Sequence, residues 1–177
     1  MNLDQCLDTT TIWLASDTHF DHANIIRYCN RPYRDVREMN ATLMNNWNKT
    51  VKPNDLMIFL GDLTMNRNPN AFPYWMSQLN GDKLVVRGNH GDQSTVNHIL
   101  TTYNGQNLLF IHNPAHAPPD FKGWTIHGHG HNKWGWLIDQ DRKRANISME
   151  RTAYKPISLA SLIQLINTDQ SLKEVTT

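Results

Sequence analysis

The chain has 177 residues and a formal net charge of +1, from 17 Lys and Arg against 16 Asp and Glu. This balance argues against a broad face that coats nucleic acid, and the length predicts a single domain over residues 1–177. Two cysteines outside any metal-ligand spacing, a polar N-terminus and the lack of an apolar run of spanning length predict a cytoplasmic protein without membrane contact.

Short apolar runs of strand length alternate along the chain with segments of helical periodicity. The longest predicted helix, 35–50, starts at Asp35 as N-cap, with Glu38 as its capping-box partner. Such alternation predicts an α/β domain. The predicted strands are residues 11–16, 56–60, 83–87, 107–111, 124–126, 134–138 and 145–149, and the predicted helices are residues 22–28, 35–50, 70–79, 94–103 and 158–166.

Residues that commonly bind metals follow five of these strands. Asp17 and His19 stand two apart after the first strand, so an extended backbone would point both side chains to one side. Taken alone, the pair could equally be a helix cap followed by a loop histidine, and the histidines at 127–131 could be a surface tract. Five successive strand ends of this kind favour a metal site at the carboxyl edge of the sheet. The candidates are Asp17, His19, Asp62, Asn89, His90, His112, His129 and His131.

The candidates belong to ordered motifs that cover most of the chain, from Thr11 to His131. These motifs are Asp17-x-His19, Gly61-Asp62, Gly88-Asn89-His90, His112 and Gly128-His129-x-His131. Together they resemble the calcineurin-like metallophosphoesterases, in the small stand-alone form of bacterial and phage members. The resemblance implies a βαββαβ sandwich of two facing sheets flanked by helices, with two metals at the strand ends. It implies that Asp17, His19 and His131 bind the first metal, that Asn89, His112 and His129 bind the second, and that Asp62 bridges both.

The resemblance also implies that His90 is the catalytic histidine. Family members usually carry an acid directly after this histidine, whereas here Gly91 stands there and Asp92 comes one place later. Asp92 is therefore the candidate to orient His90. His127 is predicted to be structural or to support a ligand. Four arginines near the first motif are candidates for phosphate contact, with solvated side chains as the alternative: Arg27, Arg31, Arg34 and Arg37.

The predicted ligands suit hydrolysis of a phosphoester. Two divalent cations carry four positive charges, of which Asp17, Asp62 and a bridging hydroxide neutralise three. The positive charge that remains would bind phosphate, and metal coordination lowers the pKa of water to about 7, which makes hydroxide available as the nucleophile. Nitrogen and oxygen ligands fit Mn²⁺, Fe, Co²⁺, Ni²⁺ or Zn²⁺, and the resemblance favours Mn²⁺.

The predicted function is phosphodiester hydrolysis on a nucleotide or nucleic-acid substrate, because the chain lacks a cap that would enclose a small monoester. A phosphomonoesterase is the alternative. From a different class comes an idle scaffold of the same fold that binds a partner protein, but all seven ligand positions are filled here. The sequence leaves the oligomeric state open.

Overall fold

A computed structural model describes residues 10–90, 93–94, 96–133 and 137–168. Within these ranges the chain forms two β-sheets and four α-helices, which confirms the predicted α/β architecture of two sheets flanked by helices. No helix in the described part is long and apolar enough to cross a membrane. The strands are β1 (Ile12–Ala15), β2 (Leu56–Phe59), β3 (Asp82–Val85), β4 (His98–Tyr103), β5 (Gln106–Ile111), β6 (Trp124–His127), β7 (Ile138–Asp139), β8 (Arg144–Asn146) and β9 (Ile157–Ser158). The helices are α1 (Ala23–Tyr28), α2 (Val36–Thr50), α3 (Ala71–Gln78) and α4 (Leu159–Asn167).

Each sheet is built on three adjacent parallel strands. The first sheet has the order β3-β2-β1-β9, with β9 antiparallel to β1. The second has the order β4-β5-β6-β8-β7, in which β5, β6 and β8 are parallel and the outer strands β4 and β7 are antiparallel. The carboxyl ends of the parallel strands therefore lie at one edge of each sheet. A bridge between Ser16 and Ser148 joins the two sheets at that edge.

Alternating side chains on the strands pack into two hydrophobic clusters on opposite faces of the first sheet. Leu14 and Ile58 belong to an inner cluster that also contains Phe110 and Ile126 of the second sheet, so the two sheets share this core. Phe59 and its alternating neighbours on β1 and β2 face the opposite way. This outer cluster is completed by side chains of α1, α2 and α3: Ile25, Met39, Leu43, Trp47 and Trp75.

Helix ends follow the capping chemistry of the sequence, with one difference. The side chain of Asp35 accepts hydrogen bonds from the backbone N–H groups of Arg37 and Glu38, so the predicted N-cap of α2 is confirmed. The Glu38 carboxylate, however, accepts from the backbone N–H of Arg34 rather than from that of Asp35. Ser158 caps α4 as predicted, by accepting from the backbone N–H of Ser161.

The helix predicted over residues 94–103 is wrong, because residues 98–103 form the edge strand β4. This strand pairs with β5 through a two-residue turn, with Tyr103 opposite Gln106. Asn104 and Gly105 have φ angles of 48° and 72°, as a type I′ hairpin turn requires. The Asn-Gly pair between two apolar runs was the signal that should have outweighed the helical spacing. The strand predicted over residues 134–138 lies partly outside the described residues, and its last residue, Ile138, begins β7.

Candidate metal centre

The loops after β1 and β2 continue to pair beyond the strands and bring the first ligand candidates together. The backbone N–H of Asp17 donates to Gly61 O at 3.0 Å, and that of His19 donates to Asp62 O at 3.0 Å. Both loops thus run side by side across the carboxyl edge of the sheet. Asp17, His19 and Asp62 are all buried there, at 3% relative exposure or less.

Backbone conformation at the predicted ligands is unusual. Five of the seven have positive φ angles between 48° and 65°, in the left-handed region that non-glycine residues seldom adopt. Each such residue costs roughly 1–3 kcal/mol and persists only where the surrounding structure demands it. Such strain concentrated on one set of candidates is typical of a functional site. The five are Asp17, His19, Asp62, His129 and His131.

Asp17, His19 and His131 form a first cluster. Their candidate ligand atoms all lie within 4.8 Å of one another. Asp17 Oδ1 is 3.8 Å from His19 Nε2 and 3.7 Å from His131 Nε2. These separations exceed hydrogen-bond length, but two bonds of about 2.1 Å to one ion leave ligand atoms roughly 3.0–3.5 Å apart. A cation is therefore a better fit to this cluster than direct hydrogen bonds.

Asp62, His112 and His129 form a second cluster, whose ligand atoms also lie within 4.8 Å of one another. His112 Nε2 is 3.4 Å from Asp62 Oδ2 and 3.2 Å from His129 Nδ1. The Asn89 amide lies 2.8 Å from His129 Nδ1, measured at Nδ2, and a half-turn of the amide would present its oxygen instead. The structure thus brings all seven predicted ligands into two adjoining clusters.

Asp62 lies between the clusters. Its Oδ2 is 3.6 Å from His19 Nε2 of the first cluster and 3.4 Å from His112 Nε2 of the second. Its other oxygen, Oδ1, accepts hydrogen bonds from the backbone N–H groups of Asn89 and His90. These bonds hold the carboxylate in place, so that Oδ2 faces both clusters.

His19 provides the strongest test of whether the site suits a cation. Both of its ring nitrogens are buried and lack a hydrogen-bond partner among the described residues. Burying a polar nitrogen without a partner is costly, and native proteins seldom do so without a reason such as a bound ion. The orphaned imidazole, together with two carboxylates and further imidazoles, fits divalent metal ions.

Electrostatics in the two clusters follow from close pairs of carboxylates and imidazoles. Burial alone would raise the pKa of Asp62, but the hydrogen bond and charge of His112, with His19 nearby, hold that pKa well below its ordinary value. Burial would lower the pKa of His112, whereas Asp62 and Asp17 raise it to about 9. The Asp62 carboxylate is therefore kept ionised, which is the state that binds a cation.

Glu150 is a site residue that the sequence reasoning missed. Its carboxylate accepts from His131 Nδ1 at 3.1 Å and from Arg31 Nε at 2.8 Å, with all three side chains largely buried. Burial would raise the pKa of Glu150, but His131 and Arg31 lower it to about 2. Such contacts fix the orientation of His131 and leave Nε2 facing Asp17. Glu150 directly follows the strand predicted over residues 145–149 and lies in the short helical turn Met149–Arg151. An acid at a predicted strand end was therefore the signal that could have identified it.

Arg31 is not available for phosphate, which corrects that expectation. Its side chain is fully buried and donates to the backbone carbonyls of Asp17 and Thr18 as well as to Glu150. Arg34 is exposed and pairs with Glu38. Arg31 therefore ties the first ligand loop to Glu150.

Two residues that precede the candidate ligand His129, namely Gly128 and His127, have structural roles. A Cβ at Gly128 would collide with Ser16 Oγ and Asp17 Oδ2, so only glycine permits this close approach of the strands. His127 is buried, its Nδ1 pairs with the carbonyl of Gly128, and it belongs to neither ligand cluster. Burial lowers the pKa of His127 to about 4.

The predicted catalytic histidine, His90, lies on the loop after β3. His90 is exposed, and its ring centroid is 6.0 Å from that of His19. Its backbone N–H donates to Asp62, which anchors the loop beside both clusters. The imidazole is therefore adjacent to the site and open to a substrate. Asp92, the candidate to orient His90, lies outside the described residues.

Two sheets flanked by helices, with clustered carboxylates and imidazoles at their carboxyl edges, define a metal-dependent phosphoesterase class of protein. The family model described as "Calcineurin-like phosphoesterase" matches residues 10–159, and the chain belongs to that family. Membership implies divalent metal ions and a phosphoester substrate.

Three relatives set this membership in context. The chain is 41% identical over 170 residues to the uncharacterized protein MJ1445 of Methanocaldococcus jannaschii, covering 93% of this chain and 96% of that protein. It is 30% identical over 87 residues to the Gene 66 protein of Mycobacterium phage L5, covering 48% and 42% of the two chains. The crystal structure of AQ665, a protein of unknown function from Aquifex aeolicus, aligns with a TM-score of 0.66 at 24% identity, over 89% of this chain and all of that one. The last similarity supports the fold alone.

Proposed function

We propose that the chain is a two-metal phosphodiesterase that acts on a nucleotide or nucleic-acid phosphodiester. The observation that carries this proposal is the position of Asp62, whose Oδ2 lies within 3.6 Å of an imidazole nitrogen in each cluster. A single carboxylate oxygen shared by two ligand clusters is the arrangement expected for two adjacent metals. The first metal would be held by Asp17, His19 and His131, and the second by Asn89, His112 and His129.

Each group of residues has a chemical task in this proposal. Bound at these residues, the two cations would polarise the phosphoryl oxygens and acidify a water molecule. Asp17 and Asp62 neutralise only part of their charge, so the site attracts the phosphate anion. His90 lies exposed beside the clusters and would donate a proton to the departing oxygen.

The openness of the second cluster supports a diester over a monoester. Asn89 and His90 are exposed, and a groove adjoins Asn89 and His112. A phosphodiester has two substituents on phosphorus, and an open site admits both. We favour Mn²⁺, with Fe, Co²⁺, Ni²⁺ and Zn²⁺ as the other ions that suit nitrogen and oxygen ligands.

Metal add-back with matched substrates tests the proposal. The protein is stripped with chelator, each ion is restored in turn, and hydrolysis of bis-p-nitrophenyl phosphate and p-nitrophenyl phosphate is compared. We expect no hydrolysis and a lower melting temperature without metal, since the clustered side chains lose their cations. With Mn²⁺ restored, we expect the diester to have the higher kcat/KM. A faster monoester would indicate a phosphomonoesterase, and activity that survives thorough chelation would exclude the two-metal mechanism.

A further inference from the structure

A groove opens directly from the second cluster. It has a volume of about 350 Å³ and shares Asn89 and His112 with that cluster. This volume lies within the range of about 300–1,000 Å³ that is usual for small-molecule sites. A substrate with its phosphorus at the metal centre would therefore extend one substituent into this groove. Its other walls include Arg87, Asn97, His98, Asn113 and His116.

The elements that present the predicted ligands also build the groove. Arg87 lies two residues before Asn89, and its Nε donates to the carbonyl of Ser94 at 2.8 Å, which fixes one side of the guanidinium. His116 ends the short helical turn Pro114–His116 that follows His112. The groove is thus attached rigidly to the second cluster.

The chemistry of the walls selects the kind of substituent. Among the described residues that line the groove, none is acidic, and Arg87 carries a permanent positive charge. A guanidinium with amides and imidazoles around it is suited to a phosphate group, which accepts hydrogen bonds from a planar fork. The described walls hold no Phe, Tyr or Trp, so a nucleobase would lack the aromatic platform on which bases usually stack.

We propose that this groove is a subsite for a second phosphate group, so that the substrate carries another phosphate beside the phosphodiester that is cleaved. The inference rests on the proposed phosphodiesterase function and narrows its substrate class. The second phosphate could belong to an oligonucleotide or to a nucleotide with more than one phosphate.

Matched substrates that differ by one phosphate test the subsite. The Mn²⁺-loaded protein is assayed with the thymidine dinucleotides TpT, pTpT and TpTp, and separately with the p-nitrophenyl esters of thymidine 5′-monophosphate and thymidine 5′-diphosphate. We expect one substrate with the extra phosphate to gain about tenfold in kcat/KM over its matched partner, as one charge-assisted contact provides. A higher kcat/KM for a phosphorylated dinucleotide would indicate that the substrate is an oligonucleotide. A higher kcat/KM for the diphosphate ester would indicate a nucleotide with more than one phosphate. An active enzyme without gain in either series overturns the proposal.

Variants locate the effect. Arg87→Met should remove most of the gain, and His116→Ala should reduce it, because each removes a donor from the groove. Arg142→Met is the matched control, because it deletes an exposed guanidinium paired with Asp139 before β8, at the opposite edge of the sheet. This control should keep the full gain. Retention of the gain in both groove variants, with unchanged melting temperatures, would place the subsite elsewhere. If no diester is cleaved, the proposed function fails, and calorimetric affinity for pTpT over TpT still decides the subsite.

Discussion

The two ligand clusters differ in what surrounds them. The first is enclosed: Asp17 and His19 are buried, and the buried Arg31–Glu150 pair holds His131 from behind. The second is half open, since Asn89 is exposed and a groove of about 350 Å³ begins at its edge. His112 there is oriented by a backbone carbonyl, that of Leu60, 2.7 Å from its Nδ1.

This contrast suggests a division of labour between the two metals of the proposed centre. Burial and a charged supporting pair favour tight, permanent retention of an ion in the first cluster. Exposure and an adjoining groove favour contact between the second ion and the substrate. Asp62 faces both environments. Substitutions at the shared, the enclosed and the open parts should therefore have distinguishable effects.

The largest effect is expected for Asp62→Asn, which removes the carboxylate charge common to both clusters. Loss of several kcal/mol of charge stabilisation corresponds to a fall in kcat/KM on the order of 10³-fold. His131→Ala, which removes one ligand from the enclosed cluster only, should cost less and lower the metal content by one ion. Metal analysis and diester kinetics on both variants check this. An Asp62→Asn protein that keeps two metals and near-normal kcat would show that Asp62 is not the bridge.

Much of the fold and the positions of the ligand candidates could be predicted from the sequence, and the reasons are local. Short apolar runs followed at once by Asp, Asn or His placed all seven ligand candidates at strand ends, where parallel strands bring them together. The support of the first cluster could not be predicted, because Arg31 and Glu150 are 119 residues apart and only tertiary packing joins them. The groove was missed for a different reason: residues 98–103 have helical spacing, but the Asn104-Gly105 turn makes them a strand.

His90 tests the open side of the centre. If it protonates the leaving oxygen, His90→Ala should cost about 10²- to 10⁴-fold in kcat with a nucleoside leaving group. The loss should be much smaller with p-nitrophenolate, which is a stable anion and needs no proton. Kinetics on the two leaving groups check this prediction. Equal losses would instead mark His90 as a residue that positions the substrate.

The enclosed cluster is tested by Glu150→Gln. Loss of the carboxylate behind His131 should weaken binding of one metal by about 10- to 100-fold, the usual effect of removing a partner that orients a ligand. The other metal should bind as before, and calorimetric titration resolves the two. Asp139→Asn is the matched control, since it removes an acid from an ion pair with Arg142, outside the metal centre.

Stability must be separated from positioning here, because Glu150→Gln leaves Arg31 as a buried charge without its partner. The double variant Arg31→Met with Glu150→Gln removes both charges and should regain part of the lost melting temperature. If metal affinity returns together with stability, Glu150 contributes only to the stability of the fold. Affinity that stays low in the stabilised double variant supports its positioning of His131.

The smallest effect concerns His127, which lies beside the ligand loop without joining either cluster. Its pKa is lowered by burial to about 4, whereas an imidazole in the unfolded chain has a pKa near 6.5. Between these two pH values His127 is protonated in the unfolded chain but not in the folded protein. The contribution of His127 to stability is therefore complete above pH 6.5 and is lost as the pH falls towards 4. Replacing His127 should reduce the slope of unfolding free energy against pH by up to about 1.4 kcal/mol per pH unit in that range. Denaturant titrations of metal-free His127→Gln and His127→Phe check this. Whatever their absolute stabilities, the two variants should show the same reduction in the slope of unfolding free energy against pH. A wild-type slope in both variants would mean that His127 is not the buried group that titrates.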